Sequence, residues 1–262
     1  MKDLRDNAGK LLENGEIDLF VGYGEGTRMP RPAFVRSAEG TAGLIFDDRC
    51  TGNLAVYLTR GDIVRGGKVG IAASYYTLKS ILQLFAENQL NRETLRVFAV
   101  SPHGGLAELG GPEDIETHLK NAPAPAKETE EELLQKLEAM SREERWEFWS
   151  GELSKCFKCY ACRAACPMCY CTRCIVDANR PQWVQPWAAV QANMEWHISR
   201  TMHMAGRCAD CGSCGAACPL GIPVHLFSHY MAGVVEANFG EPAGNGNVLS
   251  TFRPADKEAF IL

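Results

Sequence analysis

The sequence lacks an uninterrupted apolar run near the roughly 18 residues that a transmembrane helix needs. Its first ten residues, MKDLRDNAGK, are polar and lack the apolar core of a signal peptide. The 27 Lys and Arg are outnumbered by 32 Asp and Glu, and the net charge of −5 disfavours general nucleic-acid binding, which usually needs a basic face. These absences predict a cytoplasmic protein with no membrane span and no nucleic-acid partner.

Catalytic and nucleotide-binding motifs are also scarce. The sequence contains no G-x-x-x-x-G-K-[ST] loop and no H-E-x-x-H pair. The stretch VGYGEG (21–26) has G-x-G-x-G spacing, lacks the third glycine of the dinucleotide fingerprint, and is followed by no clear helical pattern. A turn between two strands is therefore the favoured interpretation, and no catalytic residue is assigned.

Residues 1–120 alternate between helical and extended patterns. The predicted helices are 2–15, ending at Gly15, and 74–90; the predicted strands are 17–24, 31–37, 68–73 and 95–101. Ser74 is the expected N-cap of the second helix, whose apolar face would carry Leu78, Ile81, Leu82 and Phe85. Strands that alternate with helices predict a small α/β sheet.

A change of composition separates this part from the rest. Residues 121–132, NAPAPAKETEEE, combine proline steps with an acidic run and predict a linker that leads into a charged helix. The acidic stretch 127–147 is typical of a solvated face, and RWEFW (145–149) adds aromatic surface for a core or an interface. The predicted organisation is an α/β domain (1–120), an acidic linker and helix (121–150), and a mainly α domain with a C-terminal tail (151–262).

The twelve cysteines are unevenly spread, with Cys50 alone in the first half and eleven between residues 156 and 218. In a reducing compartment, clustered cysteines more often bind metal than form disulfides. Eight follow the pattern C-x-x-C-x-x-C-x-x-x-C-P twice. The first run is Cys156, Cys159, Cys162 and Cys166 before Pro167; the second is Cys208, Cys211, Cys214 and Cys218 before Pro219. Zinc sites space their cysteine pairs further apart, so the pattern predicts two 4Fe–4S clusters.

Residues 151–225 resemble a bacterial-type two-cluster ferredoxin domain at all eight ligand positions and both prolines, with a longer insertion of 41 residues between Cys166 and Cys208. The resemblance implies a crossed ligand pattern. One cluster would be held by Cys156, Cys159, Cys162 and Cys218, and the other by Cys208, Cys211, Cys214 and Cys166. Residues 151–218 carry seven Lys and Arg against four Asp and Glu, a local excess that would offset anionic clusters.

Three cysteines stay outside this pattern: Cys169, Cys171 and Cys174. Inert thiols that shield the neighbouring cluster are one interpretation. A third metal site is the other, with a fourth ligand from Cys50, a histidine or a partner chain, or with the three cysteines replacing Cys166 in a rearranged scheme. We predict a third metal site. His197 and His203, within the helical pattern at 186–204, are interpreted as surface or cofactor-shielding side chains rather than ligands.

The amino-terminal part resembles the beta subunits of deazaflavin-reducing hydrogenases and formate dehydrogenases, through the order of LLENGEIDLFVGYGEG (11–26), RPAFVRSAEG (31–40) and KVGIAASYYTLKSILQL (68–84). The resemblance implies FAD, iron–sulfur clusters, and electron exchange between a partner's metal site and a soluble carrier. The chain reads Ser74-Tyr75-Tyr76 where that family carries a Pro-Cys step. We therefore predict that this domain docks partners and holds no tightly bound FAD.

Three functions follow from these patterns. The favoured one is a non-catalytic electron-transfer subunit that serves catalytic and flavoprotein subunits of a hydrogenase, formate dehydrogenase or heterodisulfide-reductase-like complex. The alternative is a flavin-containing enzyme that acts directly on a deazaflavin or similar carrier. An iron–sulfur sensor is the third, but the sequence shows none of the nucleic-acid or switch modules that sensors usually bring.

Overall fold

The computed structural model describes residues 1–101, 105–125 and 128–246. The amino-terminal strands and helices, in chain order, are α1 (Lys2–Glu13), β1 (Leu19–Gly24), β2 (Arg31–Val35), β3 (Leu44–Ile45), α2 (Gly61–Val64), β4 (Val69–Ala73), α3 (Tyr75–Ala86), β5 (Leu95–Val100) and β6 (Leu106–Leu109). The later helices are α4 (Pro112–Asn121), α5 (Glu128–Ala139), α6 (Arg142–Ser154), α7 (Ala161–Ala164), α8 (Val190–Met204), α9 (Ser213–Ala216) and α10 (His225–Phe239). In these described ranges, no helix is both long and apolar enough to cross a bilayer.

The strands form one mixed sheet in the order β2-β1-β4-β5-β6, with β3 also paired to β1. The three central strands β1, β4 and β5 run parallel, whereas β2, β3 and β6 pair antiparallel with their neighbours. Every residue of β1 and β4 is buried, as expected for central strands covered on both faces. The sequence prediction of an amino-terminal α/β region followed by a mainly helical region is confirmed at this level.

The glycines of VGYGEG serve strand packing and a turn. A side chain at Gly22 would come within 2.7 Å of Leu44 on the neighbouring strand, and one at Gly26 would collide with the Met29 carbonyl oxygen. The segment connects β1 to β2 as an antiparallel hairpin. The interpretation as a turn between two strands is therefore correct.

Helix α3 begins as predicted, because the Ser74 hydroxyl accepts a hydrogen bond from the Thr77 amide. It ends at Ala86 rather than at residue 90, since the chain leaves the helix through Asn88, which has a left-handed conformation (φ 56°). Its predicted apolar face is buried, although Phe85 is only half-buried.

A second face of α3 is buried as well. Ser80, Gln83 and Leu84 are each at most 1% exposed. The Ser80 hydroxyl accepts from the Asn53 amide at 2.8 Å, and the Gln83 side-chain oxygen accepts from the Gly244 amide at 3.0 Å. This second face of α3 is thus covered both by residues that precede the helix, such as Asn53, and by residues that follow it, such as Gly244.

The predicted linker and charged helix form two consecutive helices, α5 and α6, after residues 122–125; residues 126–127 lie outside the described ranges. Ser141 begins α6 with a capping box to Glu144. The aromatic run within α6 is divided: Trp149 packs on Phe227 with ring centroids 4.0 Å apart, while Trp146 is 62% exposed. Residues 247–262, at the end of the predicted C-terminal tail, also lie outside the described ranges.

Candidate metal centre

The two cysteine runs fold in the same way. In each run, the amide two residues after the first cysteine donates to that cysteine's sulfur at 3.4 Å: Lys158 to Cys156, and Asp210 to Cys208. The left-handed residues of the repeat are Lys158 and Tyr160 in the first run and Asp210 and Gly212 in the second. These turns lead into the short helices α7 and α9, so both runs present their thiols from equivalent loops.

One set of thiols combines both runs. Cys166 from the first run and Cys208, Cys211 and Cys214 from the second line one small cavity. We call these four residues the inner cysteine set. Ser80 of α3 lines the same cavity, so the amino-terminal region forms part of its wall.

The remaining motif cysteines, Cys156, Cys159, Cys162 and Cys218, form the outer cysteine set. Cys156 and Cys218 pack against a buried apolar cluster that contains Cys162. Burial raises the pKa of Cys156, and the thiolates of Cys159 and Cys218 raise it further, as expected for neighbouring groups of like charge. Cys159 is exposed, so this set reaches the protein surface.

The donor chemistry fits iron–sulfur clusters. Burial raises the pKa of both Cys162 and Cys214 to about 11, and raises that of Cys208 well above its usual value. Such thiols stay protonated at neutral pH unless a cation compensates the thiolate charge, and iron supplies that compensation. Four soft ligands in each set match the ligand number of a 4Fe–4S cluster.

Arg200 of α8 is a buried cation among these cysteines, and it belongs to none of the motifs found in the sequence. The side chain is 4% exposed, and its guanidinium donates to the Cys162 carbonyl oxygen at 3.4 Å. Burial opposes its charge, but nearby thiolates outweigh burial and raise the pKa. Those thiolates belong to Cys214, Cys166, Cys162 and Cys169. Helix α8 also carries several other polar residues, so no local sequence signal distinguishes this arginine as buried.

Helix α8 also positions the first run. The buried Asn193 amide donates to the carbonyl oxygens of Leu153 and Cys156, at 2.8 and 2.7 Å. His197 is buried, and burial lowers its pKa to about 4, with further lowering by Arg200 and Lys158, so the imidazole is neutral. His197 is therefore an interior side chain, whereas His203 is exposed.

A buried carboxylate joins α3 to the cysteine segment. Glu87 forms an ion pair with Arg207 at 2.6 Å and accepts a hydrogen bond from the Tyr170 hydroxyl at 2.6 Å. Burial opposes ionisation of Glu87, but hydrogen bonds from Arg207, Tyr170 and Gln83 outweigh it and lower the pKa. Tyr170 and Arg207 lie 83 and 120 residues after Glu87 in the chain.

The three extra cysteines are also brought together. Cys169, Cys171 and Cys174 line a second cavity together with His203. Cys50 does not line it and instead packs in the core of the sheet, near Tyr23.

The described cysteines do not form a site for a single metal ion. Among the residues that the structure describes, no three His, Cys, Asp or Glu side chains converge as a single metal ion requires. This holds for the inner and outer sets and for the three extra cysteines.

Comparison with known proteins agrees with this chemistry. Residues 155–223 match the family model described as a 4Fe-4S dicluster domain. The chain is also 29% identical over 85 residues to the beta subunit of the F420-dependent formate dehydrogenase of Methanocaldococcus jannaschii. That match covers 32% of this chain and 22% of the relative, so the similarity spans about a fifth of the relative's length. Both resemblances identified from the sequence are confirmed, and the cysteine segment is an iron–sulfur segment.

Proposed function

We propose that this chain is an electron-transfer subunit of a multi-subunit oxidoreductase and that it carries two 4Fe–4S clusters. The observation that carries the proposal is the inner set, in which Cys166 leaves its own run and joins three cysteines of the other. In this scheme, Cys156, Cys159, Cys162 and Cys218 hold one cluster, and Cys166, Cys208, Cys211 and Cys214 hold the other. When bound, such clusters take up and release single electrons.

The arrangement of the two sets suits a relay. Cys162 of the outer set and Cys214 of the inner set belong to the same buried apolar cluster, so the two sets adjoin. The outer set reaches the surface at Cys159, where a redox partner has access. The inner set adjoins Met168 and Met204, which belong to the core that includes the sheet, and this packing keeps water away.

The chain supplies its own charge compensation. Arg200 lies beside thiols of both sets and offers a permanent cation. A fixed positive charge stabilises anionic thiolates without proton uptake and favours electron arrival.

The matched relative supports an oxidoreductase complex. Because that protein is a beta subunit of a formate dehydrogenase, we propose catalytic and flavoprotein subunits as partners, in a hydrogenase, formate dehydrogenase or heterodisulfide-reductase-like assembly in the cytoplasm. The alternative function is that of a flavin-containing subunit that acts directly on a deazaflavin or similar carrier. The F420 dependence in the relative's name supports this alternative.

Iron and sulfide analysis of protein isolated without air tests the proposal. We expect at least about eight irons per chain and, after reduction, paramagnetic resonance signals of two cubanes. About four irons or fewer in fully reconstituted protein, or stoichiometric zinc, would contradict it. Copurification from the native host, with identification of the bound chains, tests the partner assignment separately.

A further inference from the structure

We propose that Cys169, Cys171, Cys174 and His203 hold a third iron–sulfur cluster beside the inner cysteine set. The proposal rests on the iron–sulfur function above and extends it by one site. Its starting point is the second cavity, which all four side chains line.

The segment that carries the three cysteines is fixed by contacts on both sides. The Tyr170 hydroxyl donates to Glu87 at 2.6 Å, which ties the segment to α3. The Asp177 carboxylate pairs with Arg163 at 2.8 Å, and the Asp177 amide donates to the Cys174 carbonyl oxygen at 2.9 Å. These contacts hold the segment with the three cysteines in a defined position.

The charges around the cavity favour an anionic group. Arg163, Arg200 and Arg207 line it, and no carboxylate is among its described lining residues. Arg163 and Arg207 already pair with the carboxylates of Asp177 and Glu87, respectively. The buried Arg200 is therefore the positive charge at this cavity that those ion pairs leave uncompensated. A cluster with thiolate ligands supplies a negative counter-charge for it.

His203 completes the ligand number. Three thiolates leave one position open, and imidazole replaces thiolate on iron in known iron–sulfur centres. His203 is the histidine of this cavity, at the carboxyl end of α8, whereas Cys50 is buried in the sheet core. The structure thereby selects a histidine over Cys50 as the fourth ligand.

The third site adjoins the inner set directly. Its cavity shares Met168, Arg200 and Met204 with the inner cavity, and the Cys166 thiol of the inner set donates to the shared Met204 sulfur at 3.7 Å. Cys171 is exposed, so this site also reaches the surface. The chain would then have two surface-accessible sites, at Cys159 and Cys171, with the inner set between them.

The test replaces Cys169, Cys171 and Cys174 together with serine in the full chain, reconstituted without air. We expect loss of about four irons per chain relative to wild type, with both ferredoxin-type resonance signals retained. Unchanged iron content would overturn the proposal in favour of shielding thiols. Loss of the inner signal would overturn it in favour of Cys169 replacing Cys166, and loss of stoichiometric zinc would overturn the cluster assignment.

The histidine is tested by His203→Ala, with Met202→Ala as the control, because Met202 is the exposed neighbour on the same helix and does not line the cavity. Pulsed resonance of the reduced wild type should show a nitrogen coupling from imidazole. His203→Ala should lose that coupling and Met202→Ala should keep it. A coupling that survives in His203→Ala would overturn the ligand assignment.

If the triple variant fails to fold, Cys171→Ser at the exposed position tests the same site, and unchanged iron content and third-cluster signal there would overturn the proposal. A wild type without any iron would instead refute the proposed function.

Discussion

At the scale of single residues, charge balance around the cysteines depends on Arg200. The guanidinium is buried beside thiols of the inner set, the outer set and Cys169, so it acts on every cluster site proposed for the chain. Because added electrons make a cluster more negative, a nearby cation raises its reduction potential.

Arg200→Gln should therefore lower the reduction potentials of the bound clusters. Two charges separated by several ångströms interact by about 2–3 kcal/mol near a protein surface. Since 59 mV corresponds to a tenfold change for one electron, we expect a decrease on the order of 100 mV. Redox titration followed by paramagnetic resonance measures it. Arg200→Lys should keep most of the wild-type reduction potential, and Arg180→Gln, at an exposed position, should leave the potential unchanged. An unshifted potential in Arg200→Gln with intact clusters would rule out this role of Arg200.

The crossing of ligands between runs is a second prediction at this scale. Cys218→Ser should damage the cluster held by Cys156, Cys159 and Cys162 and leave the other spectroscopically intact, because Cys218 belongs to the outer set. Cys166→Ser is the matched variant and should show the reverse pattern. Resonance spectra of both reduced variants provide the measurement. If each run instead held its own cluster, Cys218→Ser would damage the cluster of the second run and Cys166→Ser that of the first, which would contradict the crossed scheme.

At the scale of elements, α3 is the helix that joins the sheet to the cysteine segment. Its carboxyl end carries Glu87, whose carboxylate is 6% exposed and receives Arg207 and Tyr170 from the iron–sulfur region. An ion pair in such surroundings costs more to break than an exposed one, because the remaining charge stays unpaired and poorly hydrated.

Glu87→Gln should destabilise the protein by about 2–4 kcal/mol, since it leaves the Arg207 guanidinium half-buried without its counterion. For a chain of this size, the melting temperature should fall by roughly 5–10 °C. Anaerobic thermal unfolding followed by circular dichroism and cluster absorption measures it. Glu152→Gln, which breaks the more exposed pair with Lys155, should cost at most about 1 kcal/mol. Equal effects of the two substitutions would contradict a special role for Glu87.

The stability that the Glu87 carboxylate contributes should decrease as the pH is lowered. The pKa of Glu87 is lowered by folding, so its contribution is complete above the pKa of an unfolded glutamate, about 4.3, and is lost as the pH falls through the lower folded value. The stabilities of wild type and Glu87→Gln should therefore converge in acid. A difference that grows below about pH 4 would contradict this linkage.

Local sequence signals predicted the helices and strands but not the tertiary contacts between them. Ser74 identified the start of α3, and the cysteine spacing identified the two runs, because caps and short-range ligand patterns are written in neighbouring residues. The second buried face of α3 and the pair between Glu87 and Arg207 depend on residues up to 161 positions apart. Such contacts leave no periodic trace, so they became visible only in the folded chain.

At the scale of the whole molecule, the amino-terminal region is a partner-docking unit in our proposal rather than a flavin site. Protein purified without air should therefore contain no stoichiometric FAD. Release of bound flavin by heat, followed by chromatography with fluorescence detection, measures the content. A yellow protein with one FAD bound to residues 1–120 would contradict the prediction and favour the flavoenzyme alternative.

The covering of α3 by later residues has a consequence for biosynthesis. During translation, the sheet and α3 leave the ribosome before the cysteine segment does. At that stage the chain still lacks Met168 and Met204, which pack against the core of the sheet, and Arg207, which pairs with Glu87. The nascent chain therefore displays an uncovered helix face until the cysteine segment emerges and acquires its inorganic cofactors. In iron-starved cells, we expect α3 to stay exposed to chaperones and proteases, so that metal supply sets the protein's abundance as well as its cluster content.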